Sequence, residues 1–256
     1  MRAIGPRLAS TQMNGLAVVT GAATGIGRAV SLELAECGLD VVAAGLDVDE
    51  LRLTTEMVEA RGRQSTAVEA DVTSDAAQSA VAAAANELGG ASVLVNNAAH
   101  YPTNTWDQIS EAEWDRVLAV NLKGAFLSCR ALGEQLREHN GSIINISSNT
   151  AFYGWPGFLH YVSSKGALIA FTRALAREIG PDGVRVNAVA PGAIPTRAES
   201  VHSNSIGLAD WVMENQSLKR RGTVGEVAKV VAFLAGPHSS FVTGQTLLVD
   251  GGLYMH

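Results

Sequence analysis

Short runs rich in Val, Ile, Leu and Ala alternate with longer stretches whose apolar residues recur at helical spacing, from residue 16 almost to the end of the chain. The strand candidates are 16–20, 40–44, 66–69, 92–96, 142–147, 185–189 and 246–249. Most lack clean two-residue alternation, as expected of parallel strands covered on both faces. Between the first two, Ile26, Val30 and Leu34 lie at i, i+4 spacing, and Gly38 serves as a helix stop. Ser110 and Glu113 have capping-box spacing before Trp114, Leu118 and Leu122, which repeat every four residues. This rhythm predicts an α/β fold: a doubly wound, mostly parallel seven-stranded sheet with helices on both faces. Residues 16–256 read as one domain and residues 1–15 as a flexible leader. The irregular segment 193–221 reads as a lid over the ligand end of the sheet.

Composition narrows the function classes. Charged residues make up 17% of the chain, against roughly 25% in ordinary soluble domains, which points to surface hidden in a homo-oligomer. A net charge of −6 argues against nucleic-acid or anionic-membrane partners. Lys219, Arg220 and Arg221 form the one tight basic cluster and read as a solvated turn. Cys37 and Cys129 make neither a disulfide framework nor a zinc motif, which fits a cytoplasmic protein. The histidines are scattered, so no metal is expected, and no segment has the length and apolarity of a membrane span.

The first strand runs into Thr20-Gly21-Ala22-Ala23-Thr24-Gly25-Ile26-Gly27 and then a helix. Gly21 permits the turn, Gly25 admits a pyrophosphate to the backbone, and Gly27 lets the helix pack on the sheet, with its N-terminal dipole toward the anion. The spacing resembles the T-G-x-x-x-G-x-G of the short-chain dehydrogenase/reductase family, of the Rossmann type. Further motifs follow in register: Ala70-Asp71-Val72, Asn96-Asn97-Ala98-Ala99 (with Ala99 replacing a usual Gly), Arg185-Val186-Asn187, Pro191-Gly192 with Thr196, and Asp250-Gly251-Gly252. The resemblance implies a nicotinamide cofactor against Gly21, Thr24, Gly25, Ile26, Gly27, Asp71, Val72, Asn97, Ala98 and Ala99. On the far side it implies contacts from Pro191, Gly192, Ile194 and Thr196.

Tyr161 and Lys165 lie one helical turn apart in Tyr161-Val162-Ser163-Ser164-Lys165. An ammonium about 4.5 Å from the phenol oxygen, at an effective dielectric of about 20, favours phenolate by roughly 3.7 kcal/mol, or nearly three pKa units. That shift would bring a tyrosine near neutrality, where it serves as a proton donor or acceptor. The resemblance also selects Ser148 rather than its neighbour Ser147, because Ser148 has the family's spacing before the tyrosine. It implies that Ser148 bonds the substrate oxygen, Lys165 bonds the nicotinamide ribose, and Asn121 helps hold a water for proton exit. The implied activity is hydride transfer between the cofactor and an alcohol or carbonyl compound. A 3-oxoacyl-thioester reductase is the alternative, and a non-catalytic dinucleotide sensor would lack the tyrosine or the lysine.

Candidate substrate residues beside Ser148 and Tyr161 are Tyr153 and Trp155, with His100, Tyr101, Phe152 and His160 nearby. His100, His160 and Asn149 as polar lining favour a sugar, polyol or other small hydroxylated compound over a long acyl chain. The family's usual acidic position after the second strand is Gly45 here, and Asp47 two residues on is the candidate ribose ligand. Neither Thr24 nor Leu46 is basic, so NAD is favoured over NADP, with Arg28 as the residue that could still reach a 2′-phosphate. The resemblance implies a homotetramer, with 250–256 near a subunit contact.

Overall fold

The computed structural model describes residues 12–196 and 208–255. Seven parallel strands form one sheet in the order β3-β2-β1-β4-β5-β6-β7. They are β1 (Leu16–Thr20), β2 (Asp40–Gly45), β3 (Ser65–Glu69), β4 (Ala91–Asn96), β5 (Ser142–Ile146), β6 (Arg185–Pro191) and β7 (Thr246–Val249). The connecting helices are α1 (Gly25–Glu36), α2 (Val48–Glu59), α3 (Asp75–Glu87), α4 (Glu111–Leu118) and α5 (Gly124–Glu138). After these come α6 (Thr150–Tyr153), α7 (Leu159–Ile179), α8 (Leu208–Asn215) and α9 (Val224–Ala235). All seven strand expectations hold to within two residues at either end.

Alternate side chains of each strand enter separate cores, which is why the sequence shows no polar face. Ala17, Val19, Val41 and Ala43 pack with Val30 and Leu34 of α1, Leu51 and Val58 of α2, and Val227 and Val231 of α9. Leu16, Val18, Val42 and Ala44 pack on the other face with Val81 of α3, Leu132 and Leu136 of α5, and Ala176 of α7. Chain order reverses between β1 and β4, and such a switch point opens a crevice at the carboxyl ends of the strands.

Two local expectations change, and parts of two others fall outside the described residues. The Met13 N–H donates to the Cys37 carbonyl at 2.7 Å, and Met13 packs on the core, so residues 12–14 are already docked before β1 begins. Residues 1–11 of the expected leader and 197–207 of the expected lid lie outside the described residues. The Ser110–Glu113 capping box is only half formed: Ser110 Oγ accepts the Glu113 N–H at 3.1 Å, while the Glu113 carboxylate turns to His160 instead. A full box forms at Thr223 and Glu226, at the start of α9.

Candidate active site

The turn after β1 is shaped by what its glycines exclude. Gly21 has φ +64, and a Cβ there would lie 2.9 Å from the Ala98 Cα, so β1 and the strand-β4 loop meet backbone to backbone. A Cβ on Gly27 would overlap the Gly21 carbonyl, which closes the helix onto the turn. Over Gly25 (φ +57) the space is more open: among the described residues a Cβ would have only Thr196 within 4 Å, its nearest atom at 3.5 Å. Thr24 starts α1 with no side-chain cap, whereas Asp47, Ser74 and Thr223 cap α2, α3 and α9. A cradle lacking Cβ atoms beside uncapped helix amides fits a dinucleotide pyrophosphate.

The other cofactor candidates gather round this turn. Asn97 Nδ2 donates to the Thr20 and Gly21 carbonyls at 3.0 Å each, and the Thr20 hydroxyl accepts the Asn97 and Ala98 N–H groups. Asp71 bonds Thr73 and lies 3.1 Å from Arg116, interactions that hold its carboxyl below its usual range, the Thr73 N–H contributing most. Val72 packs against Gly124, where a Cβ would meet its methyl group at 2.8 Å. Ala99 is exposed, and Pro191 and Gly192 end β6. Ile194 is buried in the core beside Val189 and Val227, so its side chain serves packing. Asp47 is exposed and gives one carboxylate oxygen to the Glu50 N–H at 3.2 Å, so it caps α2 whatever else it binds.

Ser148, Tyr161 and Lys165 come together at the ends of β5 and α7. The Ser148 hydroxyl lies near enough to the Tyr161 phenol to favour its ionised form, and it bonds the Thr150 hydroxyl at 2.8 Å. Ser147 points the other way and donates to the Lys165 carbonyl at 2.9 Å, tying strand to helix. Lys165 is 2% exposed; its Nζ donates to the Ile146 carbonyl at 2.6 Å and lies 5.7 Å from the Tyr161 ring centroid. Asn121 sits in a π-turn, Ala119–Lys123, between α4 and α5. Its Oδ1 accepts the His100 N–H at 2.7 Å, and its Nδ2 donates to the His100 carbonyl and Ser164 Oγ, each at 2.9 Å. Both amide hydrogens are therefore engaged, and this side chain braces the strand-β4 loop against α7.

The electrostatics differ from the sequence-based expectation. Burial pushes the Tyr161 phenol up to about 12, opposed in part by the Ser148 hydroxyl. Burial also brings the Lys165 ammonium down to about 8. The two charged forms are both desolvated, and the ammonium is directed at a backbone carbonyl rather than at the phenol oxygen. Desolvation outweighs the Coulomb attraction that spacing alone predicts.

Aromatic rings dominate the substrate rim. Tyr101 and Phe158 lie 5.8 and 6.0 Å from the Tyr161 ring. Tyr153 contacts Trp155 at 6.2 Å, Trp211 of α8 at 6.5 Å and Tyr254 at 6.3 Å. The polar residues expected there are used elsewhere. His160 is fully buried and bonds Glu113 at 2.9 Å. Asn149 Nδ2 donates to Asp250 at 3.3 Å, and its Oδ1 accepts the Tyr153 hydroxyl at the same distance. Of the three, only His100 is exposed.

The chain is similar to known proteins along nearly its whole length. A family model described as enoyl-(acyl carrier protein) reductase matches residues 21–254. The chain is 39% identical over 247 residues to 3-oxoacyl-[acyl-carrier-protein] reductase FabG of Staphylococcus epidermidis, covering 95% of this chain and 100% of the relative. It is 37% identical over 244 residues to the short-chain reductase protein NovJ of Streptomyces niveus, covering 93% of each. A crystal structure of a putative gluconate dehydrogenase from Agrobacterium tumefaciens superposes with a TM-score of 0.91 at 30% identity, covering 98% of this chain and 100% of that one. This chain belongs to the short-chain dehydrogenase/reductase family. It is an oxidoreductase that uses a nicotinamide cofactor on CH–OH groups. Among the described residues of this short-chain dehydrogenase/reductase, no helix is long and apolar enough to cross a membrane.

Sequence reasoning missed Glu113, Arg116 and Tyr254 as neighbours of the site. Glu113 carries the signal of a helix cap. Trp211 belongs to the segment expected as a lid, and folding brings it and Tyr254 to Tyr153.

Proposed function

We propose that this enzyme reduces the keto group of a 3-oxoacyl thioester, or oxidises the matching alcohol, with Tyr161, Ser148, Lys165 and Asn121 as its working residues. The observation that carries the chemistry is the convergence of Ser148, the Tyr161 phenol and Lys165, whose Nζ lies 5.7 Å from the Tyr161 ring, one turn further along α7. The substrate oxygen accepts hydrogen bonds from both hydroxyls. The cofactor, when bound, supplies the hydride to the carbonyl carbon. Tyr161 gives its phenolic proton to the oxygen, completing the alcohol, while Ser148 bonds the charge that develops there. Lys165 bonds the ribose, and its positive charge favours the phenolate that remains. Asn121 holds the strand-β4 loop against α7, fixing the floor of the site.

The thioester reading is supported by the relatives named for it and by an aromatic rim suited to an apolar chain. The sugar or polyol reading loses its structural support, because His160 and Asn149 do not line the site. The deciding experiment follows nicotinamide absorbance with an acetoacetyl thioester and a panel of sugars and polyols. Reduction of the thioester with inert sugars is expected; the reverse pattern overturns the assignment. A sensor without turnover predicts no change with any substrate.

The cofactor is NAD in this proposal. Thr24 and Leu46 carry no positive charge where a 2′-phosphate would need one. Arg28, the remaining candidate, is engaged: its guanidinium bonds the Glu50 carboxylate at 2.7 Å, Thr54 Oγ1 at 2.9 Å, and the Ala23 and Glu50 carbonyls. A homotetramer in the cytoplasm completes the proposal. Phe126 is half exposed beside the groove between α5 and α7, and Phe241 is fully exposed, both apolar surfaces suited to a subunit contact. Light scattering at micromolar concentration tests the tetramer.

A further inference from the structure

His160 precedes Tyr161 at the start of α7 and is completely buried, yet it touches none of the reacting groups named above. Its Nδ1 accepts the backbone N–H of Tyr161 at 2.9 Å. That nitrogen therefore carries no proton, so Nε2 carries it and donates to Glu113 Oε1 of α4 at 2.9 Å. Both ring nitrogens are occupied. The residue before α7, Phe158, offers no side-chain cap. The imidazole thus satisfies one of the first amides of the helix, a duty that a Ser, Thr or Asp performs on α2, α3, α4 and α9. Glu113 in turn orients the ring from an adjacent helix, and its N–H is held by Ser110.

We propose that His160 and Glu113 form a positioning pair that fixes the first turn of α7, and with it the Tyr161 phenol, against Ser148. The pair acts through Tyr161 and rests on the assignment of Tyr161 as proton donor. The phenol extends from a residue in the first helical turn, where fraying is easiest, so a small rotation of that turn would carry it away from Ser148. Lys165, one turn further in, is anchored separately through Ser147 and Ile146. Loss of the pair should therefore impair the proton step and spare cofactor binding.

Three substitutions separate the two bonds. His160→Asn keeps an acceptor at the Nδ1 position for the Tyr161 N–H. His160→Gln keeps a donor at the Nε2 position toward Glu113 but loses that acceptor. His160→Leu fills the space with neither. We expect kcat to fall roughly tenfold or more in the Leu and Gln variants, in keeping with the cost of a displaced reacting group. Cofactor Kd by fluorescence titration should stay within about twofold, and Asn, which keeps the cap but loses the Glu113 bond, should restore part of kcat. Full kcat in folded His160→Gln overturns the proposal, as does an Asn variant as slow as Gln or a deficit confined to cofactor KM. Gln decides the matter if Leu does not fold. Tyr161→Phe is measured alongside: if it retains turnover, the assignment of Tyr161 fails. If it is inactive while His160→Gln is normal, the positioning pair alone fails.

Discussion

The two halves of the sheet prepare their ends of the crevice by different means. On the cofactor side, β1 and α1 present backbone: glycines whose missing Cβ atoms leave room, and amides that no side chain caps. The charged groups there are spent on each other, Arg28 with Glu50 and Asp71 with Arg116. On the catalytic side, β5 and α7 bury side chains: Lys165 at 2% exposure, Ser148 at 7% and His160 at 0%. Burial holds the Tyr161 phenol above and the Lys165 ammonium below their ordinary values. A backbone cradle serves a ligand common to a whole family, and at Gly21 and Gly27 it has no room for an added atom. A site of buried side chains sacrifices stability for chemistry, and its behaviour depends on pH.

That contrast can be broken most directly at Tyr161. Tyr161→Phe should lower kcat by about a thousandfold, within the usual range for losing a general acid. Its cofactor Kd, read by nicotinamide fluorescence, should remain near wild type. An equal loss in both would mean that the two ends are not separable. In the wild type, a phenol pushed up to about 12 keeps its proton at neutral pH. Carbonyl reduction should therefore be flat across neutrality, while alcohol oxidation, which needs phenolate, should go on rising above pH 9. An oxidation rate that levels off near pH 7 would show that bound ligands lower the phenol pKa strongly.

The next effect belongs to the backbone side. Gly27→Ala places a methyl group on the Gly21 carbonyl and should cost about 3 kcal/mol, the upper end for overpacking. Urea denaturation measures it, and an unchanged midpoint would mean that the turn opens freely. Lys165→Met should act in the opposite sense, raising stability near pH 7 by about 1–3 kcal/mol while removing activity. The sign follows from the lowered pKa. Between about 8 and the ordinary 10.5, the unfolded chain binds more protons than the folded one, so wild-type stability rises with pH in that window. The advantage of the Met variant should shrink there, as thermal melts across the range will show.

The smallest expected effect is at Asp47. Asp47→Ala removes the α2 cap and should cost about 1 kcal/mol. If its second carboxylate oxygen also holds a ribose hydroxyl, kcat/KM for NAD relative to NADP should fall by about fivefold, the equivalent of roughly 1 kcal/mol. A loss of stability with an unchanged ratio would leave Asp47 as a cap alone.

Strand positions, the order of motifs and the glycine turn were legible because each depends on neighbours within a few residues. Parallel strands buried on both faces need unbroken apolar runs, and a turn at φ +64 such as that of Gly21 needs a glycine. The spacing that puts Tyr161 one turn before Lys165 is likewise a property of the helix itself. The destinations of side chains were not legible. Glu113 at a helix start reads as a cap until α7 brings His160 beside it. Asn149 reads as substrate lining until Asp250, a hundred residues away, takes its amide hydrogen. The direction of the Tyr161 shift was misread because Coulomb attraction follows from spacing, whereas desolvation depends on everything packed around the pair. The family, the sheet and the identity of the chemical groups are written in local spacing. Which groups face the crevice, and how burial shifts their ionisation, follows from packing, because burial and long-range hydrogen bonds exist once distant segments have come together.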